Sequence, residues 1–173
     1  MEKCVEMKTE FLNKDKMTLV GISIRTSNAV EADPSNGKIA KIWENFFANQ
    51  IFSKIENQIN VQEIMAVYTN YENDYQADYS MFIGHIVSEV QENLADLGLE
   101  AIEIPAQKYM QFTTESGAMP NVCINAWQEI WKMESEVDSP LHQQRNYKAD
   151  LEVYSMAMDP ENAVVNIFIG IKE

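Results

Sequence analysis

Two stretches of this chain repeat each other at a fixed separation, and that repetition limits its possible folds more than any other feature. Val67-Tyr68-Thr69 returns as Val153-Tyr154-Ser155, and Phe82-Ile83-Gly84 returns as Phe168-Ile169-Gly170, both 86 positions further on. A shift of 84 lays Trp43 on Trp127 and Phe47 on Trp131, so a two-residue length change separates the helical part of the repeat from its hairpin. Self-similarity on this scale implies one supersecondary unit used twice.

The elements of that unit follow from hydrophobic periodicity. Met17 to Thr26 alternates Val20, Ile22 and Ile24 with Gly21, Ser23 and Arg25, which predicts a strand. After the loop Asp33-Pro34-Ser35-Asn36-Gly37, the residues Ile39, Ile42, Trp43, Phe46 and Phe47 make one helical stripe ending near Asn49. Ile64–Thr69 and Tyr79–Val87 read as strands around a polar, tyrosine-rich turn, with an irregular connection over Ile51–Glu63 before them. In the second unit a strand falls within Ala101–Thr114, followed by a helix with the stripe Cys123, Ala126, Trp127, Ile130 and Trp131. Strands at Lys148–Tyr154 and Val164–Ile171 complete it, while Val5–Leu12 reads as a first edge strand and Asn13–Lys16 as a turn. The expectation is an α+β protein of two tandem strand-helix-strand-strand modules, related by pseudo-two-fold symmetry, that share an antiparallel sheet and a central groove. One domain over 1–173, with repeat halves at about 17–90 and 100–173, fits the length.

Charge narrows the function. Thirteen basic against 27 acidic residues leave a net charge of −14. That balance argues against direct nucleic-acid binding, which needs Lys and Arg on phosphate, and favours attraction of cations. Cys4 and Cys123 are far apart, and His85 and His142 are isolated, so no metal site, cofactor or catalytic triad is expected. The charged start, Met1-Glu2-Lys3-Cys4-Val5-Glu6, lacks the apolar core of a signal peptide, and no run reaches the length of a membrane span. The expectation is a cytoplasmic protein with no membrane partner.

Strand Lys148–Tyr154 carries the least ordinary chemistry. Period two separates Leu151 and Val153 from Asp150, Glu152 and Tyr154. If each module buries one sheet face under its helix, Met65, Val67, Leu151 and Val153 face the helices. The opposite face, with Ile64, Ala66, Tyr68, Asp150, Glu152 and Tyr154, then lines the groove. Glu152 aligns with Ala66, so only one half carries the carboxylate and the scaffold does not demand it. A carboxylate among aromatic faces can hold an organic cation; a solvent-facing or ion-paired strand residue is the competing reading.

The layout, the Trp-centred second helix and the segment Tyr147-x-x-Asp150-Leu151-Glu152-x-Tyr154 resemble the GyrI-like, or AraC-type effector-binding, domain. Ile42-Trp43-x-x-Phe46, Val67-Tyr68-Thr69-x-Tyr71-Glu72-x-Asp74-Tyr75, Tyr79 and Phe82-Ile83-Gly84 resemble more narrowly its stand-alone members, including integron-cassette drug-binding proteins. The resemblance covers the chain from about Met17 onward. It implies a groove for lipophilic, aromatic cations, with Glu152 as the counter-charge. Tyr68 and Tyr154, which share the carboxylate's face, would form the walls, joined by Tyr109, Trp43, Trp127, Trp131 and Tyr147; Asp150 would extend the negative field towards the ligand or pair with Arg145 or Lys148, and Tyr71, Asp74, Tyr75, Asp78 and Tyr79 would rim the groove. Family members often carry a DNA-binding segment ahead of this domain. About 16 residues precede Met17 here, so the expectation is a sensor or sequestering module with no DNA-binding domain. A separate DNA-binding protein or a second copy in a homodimer are the partners left open. Two alternatives stand beside this reading: a hydrolase of strained-ring electrophiles using the same pocket, which the resemblance also implies, and an acidic groove that holds a basic protein segment.

Overall fold

The computed structural model describes residues 7–173. In chain order its elements are β1 (Lys8–Lys14), β2 (Met17–Thr26), α1 (Asn28–Glu31), α2 (Ile39–Ala48), α3 (Ile51–Lys54), β3 (Glu63–Thr69) and β4 (Tyr79–Ile86). There follow β5 (Glu100–Ile104), β6 (Gln107–Thr113), α4 (Asn121–Ser135), β7 (Ala149–Ser155) and β8 (Asn166–Ile171). The strands form one antiparallel sheet in the order β1-β6-β8-β7-β3-β4-β2-β5. This is the α+β architecture expected, with β2-β4-β3 from one repeat and β6-β8-β7 from the other meeting at β3 and β7.

Register at that junction fixes the geometry of everything above it. Met65 pairs with Val153, Ala66 with Glu152 and Val67 with Leu151. Ala66 and Glu152 are thus both repeat equivalents and cross-strand partners, which places the pseudo-two-fold axis between them.

The two outer strands are exchanged between halves. β1 runs into β2 through Asp15 and Lys16 alone, yet pairs with β6; β5 runs into β6 through Pro105 and Ala106, yet pairs with β2. A two-residue link spans no more than about 11 Å, so the opposite ends of the sheet must approach each other and the sheet curls. The exposed ion pair Lys16–Glu103, at 2.9 Å, joins the β1–β2 link to β5, the neighbour of β2. Leu19, Met65, Val67, Phe82, Tyr109, Leu151 and Phe168 fill the inside of the curl. Helices α2 and α4 cover the other face, where Ile42, Phe46, Ala126 and Ile130 pack on Ile64, Ala66, Met81 and Ile167.

Three expectations need correction. Helices and groove share one face: Met65, Val67 and Leu151 point into the curl, and Ile64, Ala66 and Tyr68 lie under the helices. Both faces are buried, so alternation separates the two sets without saying which set the helices cover. The segment Ala101–Thr114 is two strands, because Pro105 ends β5 and the chain changes partners there. The first edge strand runs on through Asn13 and Lys14, whose pairing with Lys108 and Gln107 overrides their turn propensity; the part of the expected strand before Met7 lies outside the described residues.

His85 sits on the helix side of β4, 1% exposed, with its ring centroid 6.0 Å from that of Phe46. Neither ring nitrogen makes a hydrogen bond of normal geometry among the described residues, and burial lowers its pKa from the usual 6.5, an effect that the backbone at Glu63 and Asn60 offsets only in part. The unfolded chain therefore takes up a proton first as pH falls. Stability should be full above about pH 6.5 and should drop below it by up to about 1.4 kcal/mol per pH unit, until the folded-state pKa is passed. Chemical unfolding at pH 7.5 and 5.5 should show this loss, and His85→Phe should flatten it.

Candidate functional site

Between α2 and α4, above the β3–β7 junction, lies a cavity of about 390 Å³, within the range of small-ligand sites. Its walls repeat residue by residue. Ile39, Ala40 and Trp43 of α2 face Cys123, Ile124 and Trp127 of α4, and Tyr68 of β3 matches Tyr154 of β7. Helical periodicity explains the first set, since positions i, i+1 and i+4 share one side of a helix. The period of two explains the second, because Tyr68 and Tyr154 rise on the helix-covered face with Ala66 and Glu152.

Glu152 forms the floor. It is 2% exposed. Its Oε1 accepts hydrogen bonds from the Tyr68 hydroxyl at 2.9 Å and from Trp127 Nε1 at 2.7 Å, and its Oε2 accepts from the Tyr154 hydroxyl. The Cys123 thiol lies 3.4 Å from the Tyr154 hydroxyl. Burial, reinforced by the Glu152 charge, pushes the pKa of Tyr68, Tyr154 and Cys123 well above their ordinary values, so all three remain protonated. Among the described residues no Lys, Arg or His forms an ion pair with Glu152. Glu152 thus sits at the base of the cavity with neutral donors around it and aromatic edges above: Trp43 meets Tyr154 edge-on at 5.2 Å, and Trp127 meets Tyr68 edge-on at 5.4 Å. The other charged lining residues are engaged elsewhere, Glu31 with the first amides of α2 and Arg145 with Asp150 and Glu134.

The other buried acid on this strand is differently placed. Asp150, 0% exposed, accepts from Arg145 Nη2 at 2.7 Å, from the Tyr71 hydroxyl at 2.6 Å and from the Gly170 amide at 2.9 Å. Arg145 also bonds Glu134 of α4 at 3.0 Å and lies over the Tyr147 ring at 4.3 Å. Burial opposes the Arg145 charge, but Asp150, with Tyr71, Tyr147 and Glu134 about it, reverses that and raises its pKa. Asp150 is therefore neutralised within the protein.

Of the residues singled out in the sequence, Glu152, Tyr154, Tyr68, Trp127, Trp131 and Trp43 line the cavity together. Three others stand outside its lining. Tyr109 is on the curl side of the sheet, edge-on to Phe168 at 6.2 Å, where burial raises its phenol to about 12. Tyr147 sits at a left-handed turn (φ 55°) ahead of β7, and its hydroxyl donates to Glu134. Asp150 is held by Arg145, as above. From the polar turn, Tyr71, Tyr75 and Tyr79 reach the cavity and Asp74 and Asp78 do not; Tyr75 stacks on Trp131 at 5.7 Å.

Sequence reasoning missed Asn28, Glu31, Met119, Cys123 and Arg145 as lining residues. Glu31 accepts from the Thr26 hydroxyl at 2.6 Å and from the amides of Lys38 and Ile39, so it anchors the start of α2. No local pattern signals that role, because the bonded amides lie beyond an intervening loop. Cys123 was visible as a member of the helical stripe that Trp127 shares.

Because Asp150 is the fully buried partner of Arg145, which keeps only the less buried Glu134 without it, Asp150→Asn should cost up to about 3 kcal/mol of unfolding free energy. Urea titration checks this.

A family model described as an integron-associated effector binding protein matches residues 10–171. The YobU protein of Bacillus subtilis (strain 168), which carries a transcriptional-regulator name, is 27% identical over 160 residues, 92% of this chain and 94% of its own. An integron cassette protein from the mobile metagenome of Vibrio cholerae has the same fold, with a TM-score of 0.73 at 24% identity over 97% of this chain and 99% of that one. So has SAV2435, solved bound to tetraphenylphosphonium, with a TM-score of 0.72 at 19% identity over 96% and 94% of the two chains. No helix among the described residues is long and apolar enough to cross a membrane.

Proposed function

This chain belongs to the family of integron-associated effector-binding proteins, and on that premise we propose that it holds a lipophilic aromatic cation in the cavity, with Glu152 as the counter-charge. One observation carries the reading: a carboxylate 2% exposed at the base of an aromatic cavity, with no ion pair among the described residues. Such a charge is costly to bury alone, and a bound cation removes that cost while its flat surface covers Tyr and Trp rings. That a relative of the same fold was solved with tetraphenylphosphonium supports the ligand class.

Residues 1–173, with halves at about 17–90 and 100–173, then act as one effector-binding unit of the cytoplasm, as a sensor or a sequestering module. The acidic balance disfavours DNA as a direct partner, so regulatory output would pass through a separate DNA-binding protein. Hydrolysis is the weaker reading. Glu152 already accepts three hydrogen bonds, and the Cys123 thiol is held protonated, so neither is poised as base or nucleophile.

Tetraphenylphosphonium should quench tryptophan fluorescence saturably, since Trp43, Trp127 and Trp131 all line the cavity. Glu152→Gln should weaken that binding by about tenfold or more and leave the affinity for neutral triphenylphosphine oxide nearly unchanged. Equal losses for the two ligands would contradict the counter-charge role.

A further inference from the structure

The axis between Ala66 and Glu152 does more than relate two halves of a sheet. We infer that the cavity selects cations whose charge lies between two aromatic arms over cations whose charge lies at the end of a single apolar body, an inference that rests on the cation reading above. The Trp43–Tyr154 corner closes at 5.2 Å and 83°, and its repeat equivalent, Trp127–Tyr68, closes at 5.4 Å and 69°. In each corner a tryptophan from one half leans on a tyrosine from the other. Both tyrosine hydroxyls donate to the same carboxylate. The negative charge is therefore placed between two like aromatic corners, not at the far end of one.

That placement has a consequence for ligand shape. Coulomb attraction falls with distance, so the ligand's positive centre is held best directly over Glu152. A cation with a ring on each side of its charge then fills both corners without moving that centre. A cation with the same rings in one body must leave a corner unfilled or pull its charge away from the axis. One ring face on a cationic ligand is worth about two- to thirtyfold in affinity.

The corners are alike without being identical, and the differences indicate which arm can be larger. Ala40 on the α2 side is matched by the bulkier Ile124 on the α4 side. On α4 the wall continues through Trp131, stacked on Tyr75, whereas the matching Phe47 of α2 is 48% exposed and lies outside the cavity lining. The α4 corner therefore offers the longer aromatic surface. Unequal arms fit, provided that the charge stays between them.

Two isomeric probes isolate charge position from size, ring count and net charge: dibenzyldimethylammonium, with its nitrogen between two benzyl arms, and (biphenyl-4-ylmethyl)trimethylammonium, with its nitrogen at one end. Calorimetric titration of the unmodified protein should give about fivefold or more tighter binding of the dibenzyl isomer. Equal or tighter binding of the biphenyl isomer would overturn the inference while leaving the cation reading intact. Binding of neither would overturn the cation reading and this inference with it. In addition, Trp43→Leu should cost the dibenzyl cation several-fold and leave one-ringed benzyltrimethylammonium nearly unaffected, because a single arm can use the other corner. The same loss for both cations would contradict two-corner recognition.

Discussion

A buried negative charge on a symmetry axis is the constraint that the rest of this structure accommodates. In the β3–β7 pair, the position equivalent to Glu152 is also its cross-strand neighbour, Ala66. A strict repeat would therefore set two glutamates face to face, with Cβ atoms about 5 Å apart in a dry site. Two carboxylates so close cannot both stay ionised. The duplicated scaffold has to break its symmetry at this position, and a fully buried alanine is a small partner that leaves the single carboxylate room. Around it the symmetry returns, because Tyr68 and Tyr154 reach the same carboxylate from opposite halves.

Two buried acids two residues apart on one strand face are satisfied in different ways. Asp150 has Arg145, Tyr71 and the Gly170 amide, and Arg145 is shared with Glu134 of α4. That cluster ties the end of α4 to β7 and β8. Glu152 receives hydrogen bonds from neutral groups only. The hydrogen bonds fix its orientation but leave its net charge uncompensated, which suits a ligand that brings charge and apolar surface together. α2 and α4 then contribute rings where the charge is exposed to the cavity, and the curl of the sheet supplies a rigid floor beneath.

Much of this was legible in the sequence. The repeat located the elements, the helical stripes located Trp43, Trp127 and Trp131, and the mismatch of Glu152 with Ala66 marked the carboxylate. What stayed hidden depends on long-range pairing. Strand alternation sorts residues into two faces but cannot say which face meets the helices, because both are buried; Tyr109, expected at the groove as a residue of the matching central strand, lies on the curl side. The exchange of β1 and β5 between halves has no local signal, since each strand's partner lies in the other half. Tyr147 shares the strand's motif but precedes the strand at a left-handed turn, which sends its ring to Arg145. Glu31 gains its place at the cavity only through the loop that returns Lys38 and Ile39 to it.

The central claim is that Glu152 is held for a ligand at a cost to the empty protein. Its most direct test is the unfolding free energy of Glu152→Gln against the unmodified chain, each with and without tetraphenylphosphonium. Gln keeps the size and much of the hydrogen bonding while removing the buried charge. The account predicts a ligand-free variant at least as stable as the parent, with a smaller stabilisation by the same cation concentration in the variant than in the parent. A variant destabilised by several kcal/mol that the cation stabilises as much as it does the parent would contradict it, and would make Glu152 a structural anchor instead.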